Sequence, residues 1–235
     1  MYGLPFLKIQ GMIGIMKIYL RDRNIDMCQE WANVFKGCDD VIITTGDIFG
    51  LPKNIQIDAI VSPAQSFGFM DGGIDYFYSM HFGWDMSAGL RQVIRDDYDG
   101  EVLVGQAVIV GTGERNAPGE IKSHIPYLIS APTMRVPMDI AETVNAYLAF
   151  RAVLRAVMKY NQDDAEIGSI LCPGLGTAVG RMPPRRCALQ MRQAYDEVLK
   201  NTTPDYGTLE DATQAHYRLL DLNIDFVDYR LQQKG

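Results

Sequence analysis

The sequence predicts an α/β protein with three layers, in which helices cover both faces of a mostly parallel central sheet. Short apolar runs bounded by turn-forming residues alternate along the chain with longer segments of helical periodicity. Strands buried on both faces give continuous apolar runs of this kind, and parallel strands need a long connection, usually a helix, between them. The 235 residues suffice for one well-buried core rather than two small ones.

The predicted strands are short and rich in aliphatic residues. They are Lys17–Leu20, Asp40–Thr45, Ala59–Val61, Ala107–Val110, Tyr127–Ser130 and Ser169–Leu171. Helical patterns fall between most of them, at Met27–Phe35, Ile74–Phe82, Met86–Asp97, Ile140–Tyr160 and Cys187–Leu199. Asn24 or Asp26 can cap the first helix. Residues 111–125 are polar and rich in turn formers, which predicts an exposed loop or a hairpin tip between two strands.

The chain divides into a central domain and two extensions. Residues 16–200 contain all of the predicted strands and form the domain. Residues 1–15 precede the first strand and are either an added edge strand or an extension that folding does not require. The segment 201–207 breaks the last core helix, so 201–235 are predicted as a C-terminal extension, with a helix and a polar tail from residue 208.

The charge and the cysteines exclude several functional classes. A formal net charge of −7 argues against direct binding of nucleic acid through a coat of Lys and Arg. No segment reaches the roughly 20 consecutive apolar residues of a membrane span, so no membrane partner is expected. The cysteines at 28, 38, 172 and 187 form no C-x-x-C pair and have no histidine at zinc-ligand spacing. We therefore expect no metal, no cofactor and a reducing, cytoplasmic setting.

Two glycine-rich loops follow predicted strands and are typical of an anion site. The first, Ser62–Asp75, joins a strand to a helix and contains paired glycines at 72 and 73; the second spans Cys172–Gly180. Glycine lets the backbone approach an anion closely, and a helix N-terminus offers unpaired N–H groups and the positive end of its dipole. Both loops fall at the carboxyl ends of strands, where ligands of open sheets bind. Two such loops predict a ligand with two phosphates.

Other phosphate-binding and hydrolytic motifs are absent from the sequence. It has no Walker A pattern, no G-x-G-x-x-G after the first strand and no G-x-S-x-G elbow. The histidines at 81, 124 and 216 are far apart and support no Ser-His-Asp triad.

In order and spacing, the motifs between residues 41 and 200 resemble a divergent branch of the macro domain family, which binds ADP-ribose. The segments that carry the resemblance are Gly46-Asp47-Ile48-Phe49, Asp58-Ala-Ile-Val61, Ser62-Pro-Ala-Gln65, Met70-Asp-Gly-Gly-Ile-Asp75 and Gly176-Thr-Ala-Val-Gly180. Gln65 stands where the family usually has an asparagine, and Val179 stands where an aromatic residue often packs on the distal ribose. The resemblance implies a three-layer macro domain fold.

The resemblance also implies a role for each part of the site. Asp47 would accept a hydrogen bond from the adenine amino group, and Gln65 and Asp75 would lie near the distal ribose. The two loops would hold the phosphates through backbone N–H groups. The implied ligand-binding residues are Asp47, Ile48, Ala64, Gln65, Gly72, Gly73, Ile74, Gly174, Gly176, Thr177, Ala178, Val179, Gly180 and Arg181.

Two functions from different classes share this implied pocket. As an enzyme, the protein would hydrolyse an ADP-ribosyl linkage or ADP-ribose 1″-phosphate, with Asp75 as the catalytic carboxylate that orients or deprotonates water. As a reader, it would bind ADP-ribose or an ADP-ribosylated molecule without chemistry. An Asp in the first turn of a helix is favoured by the helix dipole even when nothing binds, so this residue alone does not separate the two functions.

Overall fold

The computed structural model describes residues 16–52, 54–63, 65–113, 125–162 and 167–221, and it contains a six-stranded sheet with helices on both faces. The strands are β1 (Lys17–Asp22), β2 (Val41–Thr45), β3 (Ala59–Ser62), β4 (Val108–Gly111), β5 (Tyr127–Ser130) and β6 (Ser169–Cys172). The helices are α1 (Ile25–Val34), α2 (Gly73–Phe82), α3 (Asp85–Asp97), α4 (Asn145–Tyr160), α5 (Pro184–Leu199) and α6 (Leu209–Leu219). The predicted three-layer α/β/α fold is confirmed.

The sheet is parallel except at one edge. Its strand order is β2-β1-β6-β3-β5-β4, and only β4 runs antiparallel to its neighbour β5. Because β1, β2, β3 and β6 are parallel, their carboxyl ends meet at the same edge of the sheet. The loops that follow them, including both glycine-rich loops, therefore lie together at that edge.

Side chains of the strands alternate between two hydrophobic cores. Ile18 and Leu20 enter the core formed with α1, α4 and α5, whereas Tyr19, between them, enters the core formed with α2 and α3. The first core contains the fully buried Trp31 and Phe150. This alternation follows from the two-residue period of a strand, and it accounts for the continuous apolar runs in the sequence.

Two predicted helix starts were wrong by three residues or more. Helix α4 begins at Asn145 and not at Ile140, because the segment before it forms a turn in which the Thr143 hydroxyl donates to the Ile140 carbonyl. Helix α5 begins at Pro184, before the predicted Cys187, since proline fits the first turn, where no N–H is needed. Most of the loop predicted at 111–125 falls on residues outside the described ranges.

Within the described ranges, no helix is long and apolar enough to cross a membrane, and no group of three or more His, Cys, Asp or Glu side chains could hold a metal ion. The cytoplasmic location and the lack of nucleic-acid binding stay predictions. The division at residues 15 and 200 also stays a prediction.

Candidate functional site

A cavity of about 580 Å³ opens at the carboxyl ends of the parallel strands, within the range of small-molecule sites. It is formed by the ends of β1 and β2, the start of α2 and the second glycine-rich loop. Its lining residues are Arg21, Asp22, Arg23, Gly46, Asp47, Ile48, Phe49, Gly73, Ile74, Phe77, Met80, His81, Pro173 and Ala178.

The second glycine-rich loop offers a run of backbone donors. The N–H groups of residues 175–180 donate to no acceptor in the described part of the chain, although Leu175 and Gly176 are buried. A buried backbone donor without a partner is costly unless a ligand or water accepts from it. Ala178 from this loop lines the cavity. The loop is therefore suited to hold an anion.

The start of α2 offers a second set of donors on the same cavity. The N–H groups of residues 73–75 likewise find no acceptor among the described residues, and the preceding Gly72 has no side chain that could cap them. Gly73 has a φ of +58°, a left-handed conformation that favours glycine, and no atom lies within 4 Å of the place where its Cβ would be. Gly73 and Ile74 line the cavity.

Gly176 has a different reason to be glycine. Its φ is +70°, and a Cβ there would lie 2.5 Å from Cδ1 of Ile140. Its left-handed backbone and the packing under the loop both favour glycine here, whether or not a ligand binds above it.

The loop after β2 is fixed from below by Arg21, a buried residue of β1. Its Nε donates to the Asp47 carbonyl at 2.6 Å, and its Nη2 donates to the Gly50 carbonyl at 3.1 Å. A Cβ on Gly46 would lie 2.6 Å from the same Nη2 atom, which explains the glycine at the start of this loop. The guanidinium thus sets the position of Asp47 at the cavity.

Asp47 is held as a carboxylate at the cavity wall. The Arg23 guanidinium donates to Oδ2, and the Phe49 N–H donates to Oδ1 at 2.9 Å. The hydrogen bond from Arg23 is the main cause that lowers the pKa of Asp47 below its ordinary value. An ionised carboxylate only accepts hydrogen bonds, so this group suits a ligand that presents a donor.

Aromatic side chains form the wall beside Asp47. The rings of Phe49 and His81 are stacked with their centroids 3.7 Å apart, and Phe49 also meets Tyr78 and Phe82 edge to face. Phe77, half exposed, continues this wall, with the Arg23 guanidinium carbon 5.6 Å from its ring centroid. Flat apolar walls next to a hydrogen-bonding carboxylate match the shape and chemistry of a purine base.

Asp75 lies beneath the first loop, with only 5% of its surface exposed, and is not among the residues that line the cavity. Its Oδ1 accepts a hydrogen bond of 2.6 Å from the Ser62 hydroxyl at the end of β3. Burial raises the pKa of Asp75 to about 7, and the nearby charge of Asp71 adds to this rise, while the bond from Ser62 opposes it. Burial therefore favours the protonated form of this carboxyl.

The predicted ligand-binding residues divide into those that line the cavity and those that do not. Of the predicted set, the structure brings Asp47, Ile48, Gly73, Ile74 and Ala178 together around the cavity. The predicted residues Gly72, Gly174, Thr177 and Gly180 flank these positions in the same two loops, and Ala64 lies outside the described residues.

Two of the predicted residues make other contacts, and a third is exposed to solvent. The Gln65 amide bonds within its own loop, to the Phe67 N–H and the Phe69 carbonyl. Val179 is 54% exposed. Arg181 extends toward Asp139 at 3.7 Å with 78% of its side chain exposed.

Sequence reasoning missed the contribution of β1 to the site. Arg21, Asp22 and Arg23 follow one another at the end of this strand, and all three line the cavity. Three consecutive charged residues directly after an apolar strand are the signal that could have identified them. Phe49, Phe77, Met80 and His81 were also missed, because large apolar and aromatic side chains are common in any core.

Comparison with known proteins gives one family match and several similar folds. A family model described as "Macro domain" matches residues 61–191. The macrodomain of Mycobacterium tuberculosis DarG superimposes with a TM-score of 0.50 and 18% identity, covering 66% of this chain and 88% of that one. The Oceanobacillus iheyensis macrodomain, in a mutant form with ADPR, gives a TM-score of 0.50 and 16% identity, covering 70% of this chain and 87% of that one. No curated protein matches. At these identities the structural likeness concerns the fold.

Proposed function

The chain belongs to the macro domain family, and from this premise we propose that its cavity binds ADP-ribose or the ADP-ribosyl group of a modified molecule. The structure of the similar Oceanobacillus iheyensis macrodomain was determined with ADPR, which supports this choice of ligand. The proposal concerns the 580 Å³ cavity at the carboxyl ends of β1, β2, β3 and β6.

The observation that carries the proposal is the pair of backbone segments with free N–H groups. Residues 73–75 and 175–180 belong to different loops, border one cavity and donate to no described acceptor. Donors of this kind bind phosphate without any basic side chain, so the net charge of −7 is no obstacle. Two segments match a ligand with two phosphates.

The adenosine end of the ligand would lie beside Asp47 and the aromatic wall. Asp47 would accept from the adenine amino group, and Phe49 and Phe77 would contact the faces of the base. The distal ribose would then lie near Gln65 and the start of α2.

Calorimetric titration with ADP-ribose tests the proposal. We expect micromolar affinity, which corresponds to about −8 kcal/mol, and much weaker binding of adenosine, which lacks both phosphates. The absence of heat and of a thermal shift at millimolar ADP-ribose would refute the assignment of this ligand.

A pair of glycine variants links binding to the first loop. Gly73→Ala introduces a methyl group beside the free N–H groups at the cavity, and should weaken ADP-ribose binding at least tenfold, or about 1.4 kcal/mol. Gly37→Ala is the matched control, because Gly37 also has a positive φ of +83° with open space around its Cβ position, but lies outside the cavity lining. Equal loss of affinity in both variants would show that backbone strain, and not the methyl group at the cavity, weakens binding.

Hydrolysis of an ADP-ribosyl linkage or of ADP-ribose 1″-phosphate is the second candidate function. The observation that favours it is the raised pKa of Asp75, about 7, on the helix turn that borders the cavity. A carboxyl group with a pKa near the working pH can both accept and donate a proton. The burial of Asp75 favours binding without catalysis instead, because bond cleavage requires the carboxyl to reach the substrate or a water molecule.

Turnover measurements separate the two functions. The protein should be incubated with mono-ADP-ribosylated protein carrying ester and N-linked groups, and with ADP-ribose 1″-phosphate. If it is a hydrolase, Asp75→Asn should lower turnover on the order of 100-fold and change ADP-ribose affinity far less. Binding without release from any of these substrates would leave the reader function.

A further inference from the structure

The side chain of Asp22, a residue of the cavity, joins the end of β1 to the second glycine-rich loop. Its Oδ2 accepts the Gly174 N–H at 3.0 Å, and its Oδ1 accepts the Asn24 N–H at 2.8 Å. The two bonded residues, 22 and 174, are 152 positions apart in the sequence. Asp22 itself lines the cavity.

The bond to Gly174 occupies the first donor of the loop and leaves the others free. The N–H groups of residues 175–180, directly after it, have no acceptor among the described residues. A Cβ on Gly174 would lie 2.9 Å from Oδ2 of Asp22 and 2.6 Å from Oγ1 of Thr177, so the loop approaches the carboxylate as closely as only glycine permits. The carboxylate therefore fixes the point at which the row of free donors begins.

A carboxylate at this place also carries a cost. A negative charge next to a phosphate-binding loop repels an anionic ligand. An acceptor without charge would hold Gly174 at lower electrostatic cost. A charged acceptor binds the Gly174 N–H more strongly than a neutral one, so the carboxylate fixes the loop more firmly.

We infer that Asp22 is a positioning residue for the phosphate-binding backbone: it holds the second glycine-rich loop so that the N–H groups after Gly174 meet the diphosphate. The inference rests on the proposed function, since the diphosphate is the group that these donors would bind. Arg21 likewise holds the loop after β2 through its hydrogen bonds to two carbonyl groups of that loop. Two consecutive residues of β1 therefore position two walls of the cavity.

Asp58, at the amino ends of the parallel strands, is a matched control. Oδ2 of Asp58 accepts the Gly168 N–H at 3.0 Å and the Ser169 hydroxyl at 2.8 Å, just before β3 and β6 begin. It is again a carboxylate that bonds a glycine N–H across a long sequence separation, but it does not line the cavity. Asp58→Ala should lower stability without changing ligand affinity.

The test measures ADP-ribose and AMP affinities of the full chain and its Asp22→Ala, Asp22→Asn and Asp58→Ala variants, each with a thermal unfolding midpoint. Asp22→Ala should weaken ADP-ribose binding on the order of tenfold or more, and AMP, which lacks the second phosphate, clearly less. Asp22→Asn, which keeps one acceptor oxygen, should lose affinity in the same direction by a smaller factor and serves if the alanine variant fails to fold.

Each other outcome contradicts the inference. Unchanged or increased ADP-ribose affinity in the Asp22 variants would show that the carboxylate acts through its repulsive charge or not at all. Equal loss for AMP and ADP-ribose, or an equal loss in Asp58→Ala, would assign Asp22 a general structural role. A wild-type protein that binds no ADP-ribose would instead refute the proposed function, and the inference with it.

Discussion

Replacing Asp75 with asparagine should stabilise the protein at and above neutral pH. The carboxyl of Asp75 is buried, and its pKa is raised from 3.8 to about 7 because burial penalises the charged form. The folded state therefore binds a proton more tightly than the unfolded state between pH 4 and 7. Linkage requires that stability fall as pH rises through that window and level off above the folded pKa.

The size of the effect follows from the two pKa values. Each pH unit between them is worth about 1.4 kcal/mol, so the ionised Asp75 side chain costs roughly 4 kcal/mol above pH 8 if it stays buried. Asparagine has the same shape and no charge, and its oxygen can still accept the hydrogen bond from Ser62. The variant should match the wild type near pH 4 and exceed its stability by a few kcal/mol at pH 8.

Urea unfolding of both proteins between pH 4.5 and 8.5 measures this difference directly. Subtracting the two stability curves cancels the contributions of other groups that titrate in the same range, including the histidines. Asp85→Asn is the control, because Asp85 is likewise an acidic residue in the first turn of a helix but is exposed to solvent. A difference between wild type and Asp75→Asn that stays constant across the range would refute the assignment of a buried, proton-binding carboxyl.

Three further results are expected. Asp47→Ala should weaken ADP-ribose binding about tenfold and, if the protein is a hydrolase, leave turnover at saturating substrate unchanged. A lower rate at saturation would contradict a remote contact that is equally strong in the ground state and the transition state. Gly176→Ala should lower the free energy of unfolding by roughly 1–3 kcal/mol, since its Cβ would overlap Ile140, and an unchanged urea midpoint would show that the loop relaxes freely. Deleting residues 1–15 should leave ADP-ribose affinity intact, and insolubility of the shortened protein would show that this segment covers apolar surface.

The sequence was sufficient to predict the layers of the fold, because those depend on local periodicity. Apolar runs such as Ala59–Ser62 are buried on both faces and read as strands without any knowledge of their neighbours. The glycine-rich loops were located for the same reason, since the strand before each loop and the helix after it are neighbours in the chain. The start of α4 could not be predicted in this way, because the turn before it competes with a continuous helical pattern.

What only the tertiary structure decided is which distant residues meet. The strand order sets β1 between β2 and β6. The neighbour β6 brings Gly174 to Asp22, and the neighbour β2 brings the loop that carries Asp47 to Arg21. The raised pKa of Asp75 likewise depends on tertiary burial, which outweighs the opposing hydrogen bond from Ser62, 13 residues earlier. Local spacing is set by the backbone repeat and is readable from the chain, whereas contacts and desolvation across strands depend on sheet topology, which no short segment encodes.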